Sequence, residues 1–408
     1  MPTVTADSAP LPDRLTSAEL WTMLLLAAIN CVQITDALLM AALTDDLQSQ
    51  LGLTIVQYSH TAGIYGFAAA LCGLLASGVI DRFDRRRVIL TAFTGLIVSS
   101  VLSALAVDYS TLLIARFLAG MTGGLTTCAT LAVIGDVIPE GRRGRALGLF
   151  QAAFAIAAVV GLPLCFGLTI AVKSFSAAFI TVAAAGALVS VWAFFKLPTI
   201  PARVGPRANP LRELGAVLRV PNHLRAFSFM LCISLGTFVV INYMAKYMEK
   251  NCGVTKEQYV GIFIAMGACS LAAAILSGKL TDRLGRRPML FVTVLLTVAM
   301  VGVVTTLQLV PVWLAGLVAC GFMSAAVARL VPTHTIMLGA AEPNLRGGYT
   351  TVYNSVSHLG TSIGPLLGGL LITEVGDVLV GYSSAGLAAI GFSMLGLILS
   401  FAVKRATV

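Results

Sequence analysis

Residues 77–87 read SGVIDRFDRRR and residues 278–288 read GKLTDRLGRRP. Asp81 aligns with Asp282, Arg82 with Arg283 and Arg85 with Arg286, so this chain of 408 residues repeats itself at an offset of 201. Each copy directly follows a long apolar run that is the second of its own half. A repeat at half the chain length, in unchanged order, predicts two like units arranged as parallel repeats.

Working outward from the two copies, runs of about 20 apolar residues or more mark membrane-crossing helices. Twelve occur, at 18–43, 55–80, 88–107, 110–136, 146–171, 175–196, 225–249, 257–280, 288–308, 311–338, 347–373 and 378–403. Composition agrees: 58% of residues are hydrophobic and 11% charged, against about 45–50% and 25% in soluble domains. So little charge cannot cover a water-facing surface, and lipid must be the solvent for much of this one. The expected fold is an all-α membrane protein, twelve transmembrane helices in two six-helix pseudo-repeat bundles. The expected organisation is a cytoplasmic N-terminus (1–17), a first bundle (18–196), a linker (197–224), a second bundle (225–403) and a cytoplasmic tail (404–408). The linker carries five prolines and four arginines, with Arg225 directly after it. Within it, Asn209-Pro210 opens a short interfacial helix with Leu211, Leu214 and Leu218 on one face.

Basic residues set the orientation. With the N-terminus inside, Lys173, Lys246, Lys250 and Lys256 fall outside, Arg116 and Arg329 fall within spans, and the other 21 of 27 are cytoplasmic. The net charge of +9 is therefore topology, and no nucleic-acid partner is expected. Lys246 and Lys250 read as residues that solvate an outer helix end. Seven of the eight cysteines lie in spans and only Cys252 falls in an outward loop, so no disulfide framework is expected, and without a CxxC no metal site. The first apolar run has only Arg14 as a basic flank and no small-residue cleavage pattern, and reads as a retained helix. Short loops throughout suggest a bacterial cytoplasmic (inner) membrane. No GxSxG, HExxH, P-loop or paired-carboxylate motif occurs, so neither an enzyme nor a cofactor is expected.

The two basic loops, Arg116-Phe-Leu-Ala-Gly120 with Gly123-Gly124 in span four, and Gly364-Pro365-Leu-Leu-Gly368-Gly369 in span eleven carry a resemblance. Together they resemble the major facilitator superfamily across essentially the whole chain. Gln33-Ile-Thr-Asp36, residues 135–146 (GDVIPEGRRGRA) and Arg329-Leu-Val-Pro332 are similar to its twelve-span drug:proton antiporters, within them to the predicted arabinose or sugar efflux permeases. The resemblance implies that the loop after span two is a gate. Its aspartate, here Asp81, would face the start of span eleven. Its arginine, here Arg85, would pair with an acid ending span four, here Asp136. Asp282 and Arg286 hold the matching places in the second copy.

Ionisable residues inside membrane spans are few and costly, so each is a functional candidate. Asp36 lies about eight residues, or ~12 Å, from the outer end of span one, and Arg116 about six residues, or ~9 Å, inside span four. Equal depth makes a pair possible, which His60 could join from span two. Asn30, Gln33 and Asp36 share an arc of about 120° on span one. That polar face reads as a cavity wall with Asp36 as proton carrier, or as a structural lock between helices. Span eleven adds Tyr353, Asn354 and His358, and span seven adds Asn242 and Tyr243; each reads either as cavity lining or as helix–helix hydrogen bonding. Span ten adds Arg329, which reads as a snorkelling or gate-anchoring residue or as a cavity residue that binds substrate.

The expected function is secondary active transport by alternating access: proton-coupled export of a small organic molecule, sugar-like metabolite or drug. An alternative is uptake or exchange of a small organic anion, since Arg116, Arg329 and the histidines give the cavity positive character. A third is a non-transporting sensor on the same scaffold. Expected partners are the substrate, protons and the bilayer. A monomer suffices, since one chain supplies both halves of the cavity.

Overall fold

The computed structural model describes residues 16–80, 83–199 and 210–406, most of them helical. The first half runs α1 (Ser17–Ala42), α2 (Thr44–Leu51), α3 (Ile55–Ile80), α4 (Arg85–Ala104), α5 (Tyr109–Val137), α6 (Glu140–Ile156), a π turn (Ala157–Gly161), α7 (Leu162–Val172) and α8 (Ser176–Lys196). A connecting helix α9 (Pro210–Arg219) follows. The second half runs α10 (Pro221–Cys252), α11 (Lys256–Leu284), α12 (Arg286–Thr305), α13 (Val312–Ala340), α14 (Arg346–Leu371), a hairpin of β1 (Thr373–Val375) and β2 (Val378–Val380), and α15 (Tyr382–Ala402).

Among the described residues, ten helical segments are long and apolar enough to cross a membrane: α1, α4, α5, Gly148–Val172 across the π turn, α8, α10 to α13, and α15. The other two long helices, α3 and α14, have 26 residues each. They pack along one another. A Cβ on Gly63 would lie 2.8 Å from the Ser362 carbonyl oxygen, and one on Gly66 2.6 Å from that of His358. Lipid gives helices no hydrophobic reason to associate, so close backbone approach through small residues supplies the dispersion contact instead.

Packing is repeated between halves. In the first, α1 packs on α5, α6 and α8, α3 on α5, and α4 on α5 and α8; in the second, α10 packs on α13, α14 and α15, α11 on α13, and α12 on α13 and α15. The halves meet where α3 lies on α14 and where α11 lies on the α6–α7 joint, which are equivalent contacts. Registers match as well. The left-handed helix-ending glycines Gly52 (φ 66°) and Gly253 (φ 72°) are 201 apart, as are both ends of α4 and α12, while α5 and α13 are 203 apart.

Three details differ from the sequence expectation. The first span ends at Ala42, and the chain starts a separate polar helix, α2, instead of a plain connection. Residues 373–380 form the hairpin, so α15 starts at Tyr382 and not at 378. The linker helix α9 is present, but it docks on α10, α14 and α3 with Val217 buried, so its apolar face meets protein.

Candidate functional site

Asp36 and Arg116 meet in the interior of the first half. Arg116 Nη1 donates to Asp36 Oδ2 at 2.9 Å, and both side chains are 0% exposed. Arg116 Nη2 donates to the Asp36 carbonyl oxygen at 3.3 Å, and the Ser100 hydroxyl on α4 donates to Asp36 Oδ1 at 2.9 Å. The guanidinium also lies over the rings of Tyr65 and Phe179, 4.9 and 5.6 Å from their centroids. Five helices thus converge on one ion pair. The helix pattern explains the encounter: α3 and α5 cross closely because Gly120 and Gly124 admit the carbonyls of Tyr65 and Ala69. Removing one partner of such a pair typically costs about 3–5 kcal/mol, because the other is left charged in a dry site.

His60 does not join the pair. It is exposed on α3, with Nδ1 3.1 Å from the Tyr109 hydroxyl. Asn30 and Gln33 are buried and their amides are engaged: Asn30 Nδ2 donates to the Phe150 carbonyl at 3.1 Å, and Gln33 Nε2 to Gly123 O at 2.8 Å and Thr127 Oγ1 at 2.6 Å. These bonds knit α1 to α6 and α5. Of the polar arc read on span one, Asn30 and Gln33 thus face neighbouring helices.

In the second half, Arg329 is fully buried. Nη1 donates to Ser393 Oγ at 3.0 Å and Nη2 to Ile233 O at 3.1 Å and to the Thr237 hydroxyl. By the repeat offset Thr237 matches Asp36, and Ser100 matches Val301. Tyr353, Asn354 and His358 are half-buried on α14, with Tyr353 edge-on to His334 at 5.9 Å. Asn242 and Tyr243, read as cavity lining or as helix–helix hydrogen bonding, sit in a helix contact: the Asn242 carbonyl accepts from Thr44 Oγ1 (3.1 Å) and Tyr58 OH (3.3 Å), and the Tyr243 hydroxyl donates to Pro365 O at 2.8 Å.

At the end carrying the two basic turns, Arg85 Nε donates to Asp136 Oδ2 at 3.3 Å. Asp81 lies outside the described residues. Asp282 is exposed, and Arg286 rests against Gly339, which by the α5–α13 offset holds the place of Asp136.

Sequence reading missed a network at the opposite end. Lys256 bridges Asp45 (2.9 Å) and Asp46 (2.8 Å), while Lys246 reaches Glu374 of the hairpin (2.7 Å), Asp45 (4.0 Å) and Gln48. Lys246 is 2% exposed, so it is a buried cross-link and not a solvated helix end. The signal available was the pair Asp45-Asp46 facing three lysines on the same side of the chain's expected topology. These ions, with Thr44, Tyr58 and Asn242, join α2 and α3 of one half to α10, α11 and the hairpin of the other.

The sequence profile described as Major Facilitator Superfamily matches residues 25–357. The chain is 24% identical over 366 residues to a probable sugar efflux transporter of Mannheimia succiniciproducens, covering 88% of each. It is 24% identical over 409 residues to a chloramphenicol efflux pump of Mycobacterium tuberculosis, covering 96% of each. Among solved structures it superposes on a bacterial homologue of the human lysosomal transporter Spinster, in an inward-facing and occupied conformation. The TM-score is 0.76 at 16% identity, over 97% of this chain and 98% of that one.

Proposed function

The chain belongs to the major facilitator superfamily and is a multi-pass membrane transporter, and on that premise we propose that it exports a small organic molecule, sugar-like or drug-like, in exchange for protons. The observation that carries the proposal is the fully buried Asp36–Arg116 pair. A carboxylate kept in the membrane interior at this cost is suited to take up a proton when its arginine moves away and to lose it when the arginine returns. At about 100 mV and one pH unit, one proton supplies roughly 3.7 kcal/mol, enough for a gradient on the order of several hundred-fold in a neutral solute. The efflux names of two relatives support the export direction.

In this reading the six-helix units 18–196 and 225–403 rock against each other about a site between them. The ion network of α2, α10 and α11 closes the outer mouth, and Arg85–Asp136 belongs to the cytoplasmic gate. Both termini are cytoplasmic, the membrane is a bacterial inner membrane, and one chain is the working unit. The test uses protein in liposomes with an internal pH dye and a panel of sugars, chloramphenicol-like drugs and organic acids. A solute that moves protons with wild type but not with Asp36→Asn supports the proposal. Solute flux without proton flux in both leaves a facilitator, with Asp36 a structural partner of Arg116.

One observation favours exchange of a small organic anion: among the described residues, the guanidinium of Arg329 is met only by hydroxyls and a carbonyl. Competition by carboxylates, abolished by Arg329→Gln, would establish that reading.

A further inference from the structure

The two basic turns are copies in sequence and opposites in charge balance. In the first, Asp84 caps α4 by accepting from the Arg86 amide at 3.1 Å, and Asp136 holds Arg85. At the matching places the second copy has Gly285 and Gly339. Both acids are gone and the arginines remain. A Cβ built on Gly339 would come within 2.6 Å of Arg286 Nη1, so the guanidinium fills the space where an acid would stand.

The C-terminal tail adds to the surplus. It is tied to this corner by the Ala406 amide donating to Gly339 O (2.9 Å), Arg287 Nη2 donating to Val403 O (3.1 Å), and a two-way pair between Asn222 and Lys404 (2.9 and 2.8 Å). These bonds bring Lys404 and Arg405 beside Arg286 and Arg287. Of this group only Arg286 is half-buried; Arg287, Lys404 and Arg405 are exposed, as is Arg283. The nearest acid in sequence, Asp282, is exposed and makes no ion pair among the described residues. The cluster caps a helix whose outward face is apolar: Phe291, Val292, Leu295 and Leu296 of α12 are all exposed and descend from it within three turns.

We propose that this corner of the second half binds the headgroup of an anionic phospholipid. The phosphate takes the place of the missing Asp136 counterpart between Arg286, Arg287 and Arg405, and an acyl chain lies along the apolar stripe of α12. Charge complementarity selects an anion, and the stripe directly below selects a lipid as its carrier. In the first half the acids at these places, Asp84 and Asp136, are retained.

The test is lipid retention by the purified full-length transporter, read by native mass spectrometry from micelles containing equal phosphatidylglycerol and phosphatidylcholine. Wild type is expected to keep phosphatidylglycerol preferentially. Arg286→Gln should weaken that preference about fivefold, the effect of one basic group at a membrane surface. Gly339→Asp, which restores the acid and needs only a shift of the Arg286 tip, should do the same, and Arg87→Gln in the first copy should not. Equal retention of the two lipids by wild type, or a preference that Gly339→Asp leaves intact, overturns the assignment.

Discussion

Thr237 occupies in the second half the position that Asp36 holds in the first, and each receives the guanidinium of a buried arginine, Arg329 and Arg116 respectively. The two arginines are not themselves equivalent. Counted by the α5–α13 offset, Arg329 matches Thr126, ten residues beyond Arg116 along the helix. The fold is repeated; its charge chemistry is not.

That difference predicts opposite outcomes for two substitutions. Thr237→Asp gives Arg329 a counter-ion and should raise thermal stability by about 1–3 kcal/mol, the worth of a charge-assisted hydrogen bond. Arg116→Gln leaves Asp36 with neutral partners only and should lower stability in neutral buffer by about 3–5 kcal/mol. Thermal unfolding in detergent reads both.

His60 is exposed and bonded to Tyr109, away from the pair. Substituting His60 by Gln should leave the pH profile of transport unmoved, whereas Asp36→Asn should flatten it. A profile displaced by the His60 change would return that residue to the coupling machinery.

The lysine network should be tunable. Lys256→Gln removes two contacts of a quarter-exposed side chain, worth about 0–1 kcal/mol each. Lys246→Gln leaves Glu374 and Asp45 facing each other without their buried ammonium and should open that end further. A cysteine at Ala245, which lines the small enclosed space beside Thr44, Glu249 and Lys256, reports the effect. Its reaction with an external thiol reagent should quicken several-fold in the first variant and more in the second.

Gly120→Ala sets a Cβ 2.2 Å from the Tyr65 carbonyl oxygen, and backbone cannot step aside cheaply. Overpacking of this kind costs about 1–3 kcal/mol. Gly167→Ala meets open space and should be neutral in the same melting assay.

Much of this was written in the chain. The repeated loops and apolar runs anticipate the helices to within a few residues, and equal depth of Asp36 and Arg116 anticipates their encounter. What stayed hidden has physical causes. An eight-residue polar helix such as α2 leaves no hydropathy signature, and a three-residue strand pair leaves none either. Periodicity tells which side of α1 is polar, but not that Phe150 and Gly123 carbonyls wait opposite Asn30 and Gln33. Lys246 looks like any lysine at a helix end until the hairpin supplies Glu374.

The wide turn at Ala157–Gly161 seats Gly161 against Thr35, the residue before Asp36. The fifth rod is therefore jointed at the height of the charged pair. Below the joint α6 is fastened to α1 by Asn30; above it α7 presses Phe166 on Tyr259 and Phe263 of the other half. One helix thus touches the residue beside the charged pair through Gly161 and the other half of the molecule through the aromatic knuckle above it.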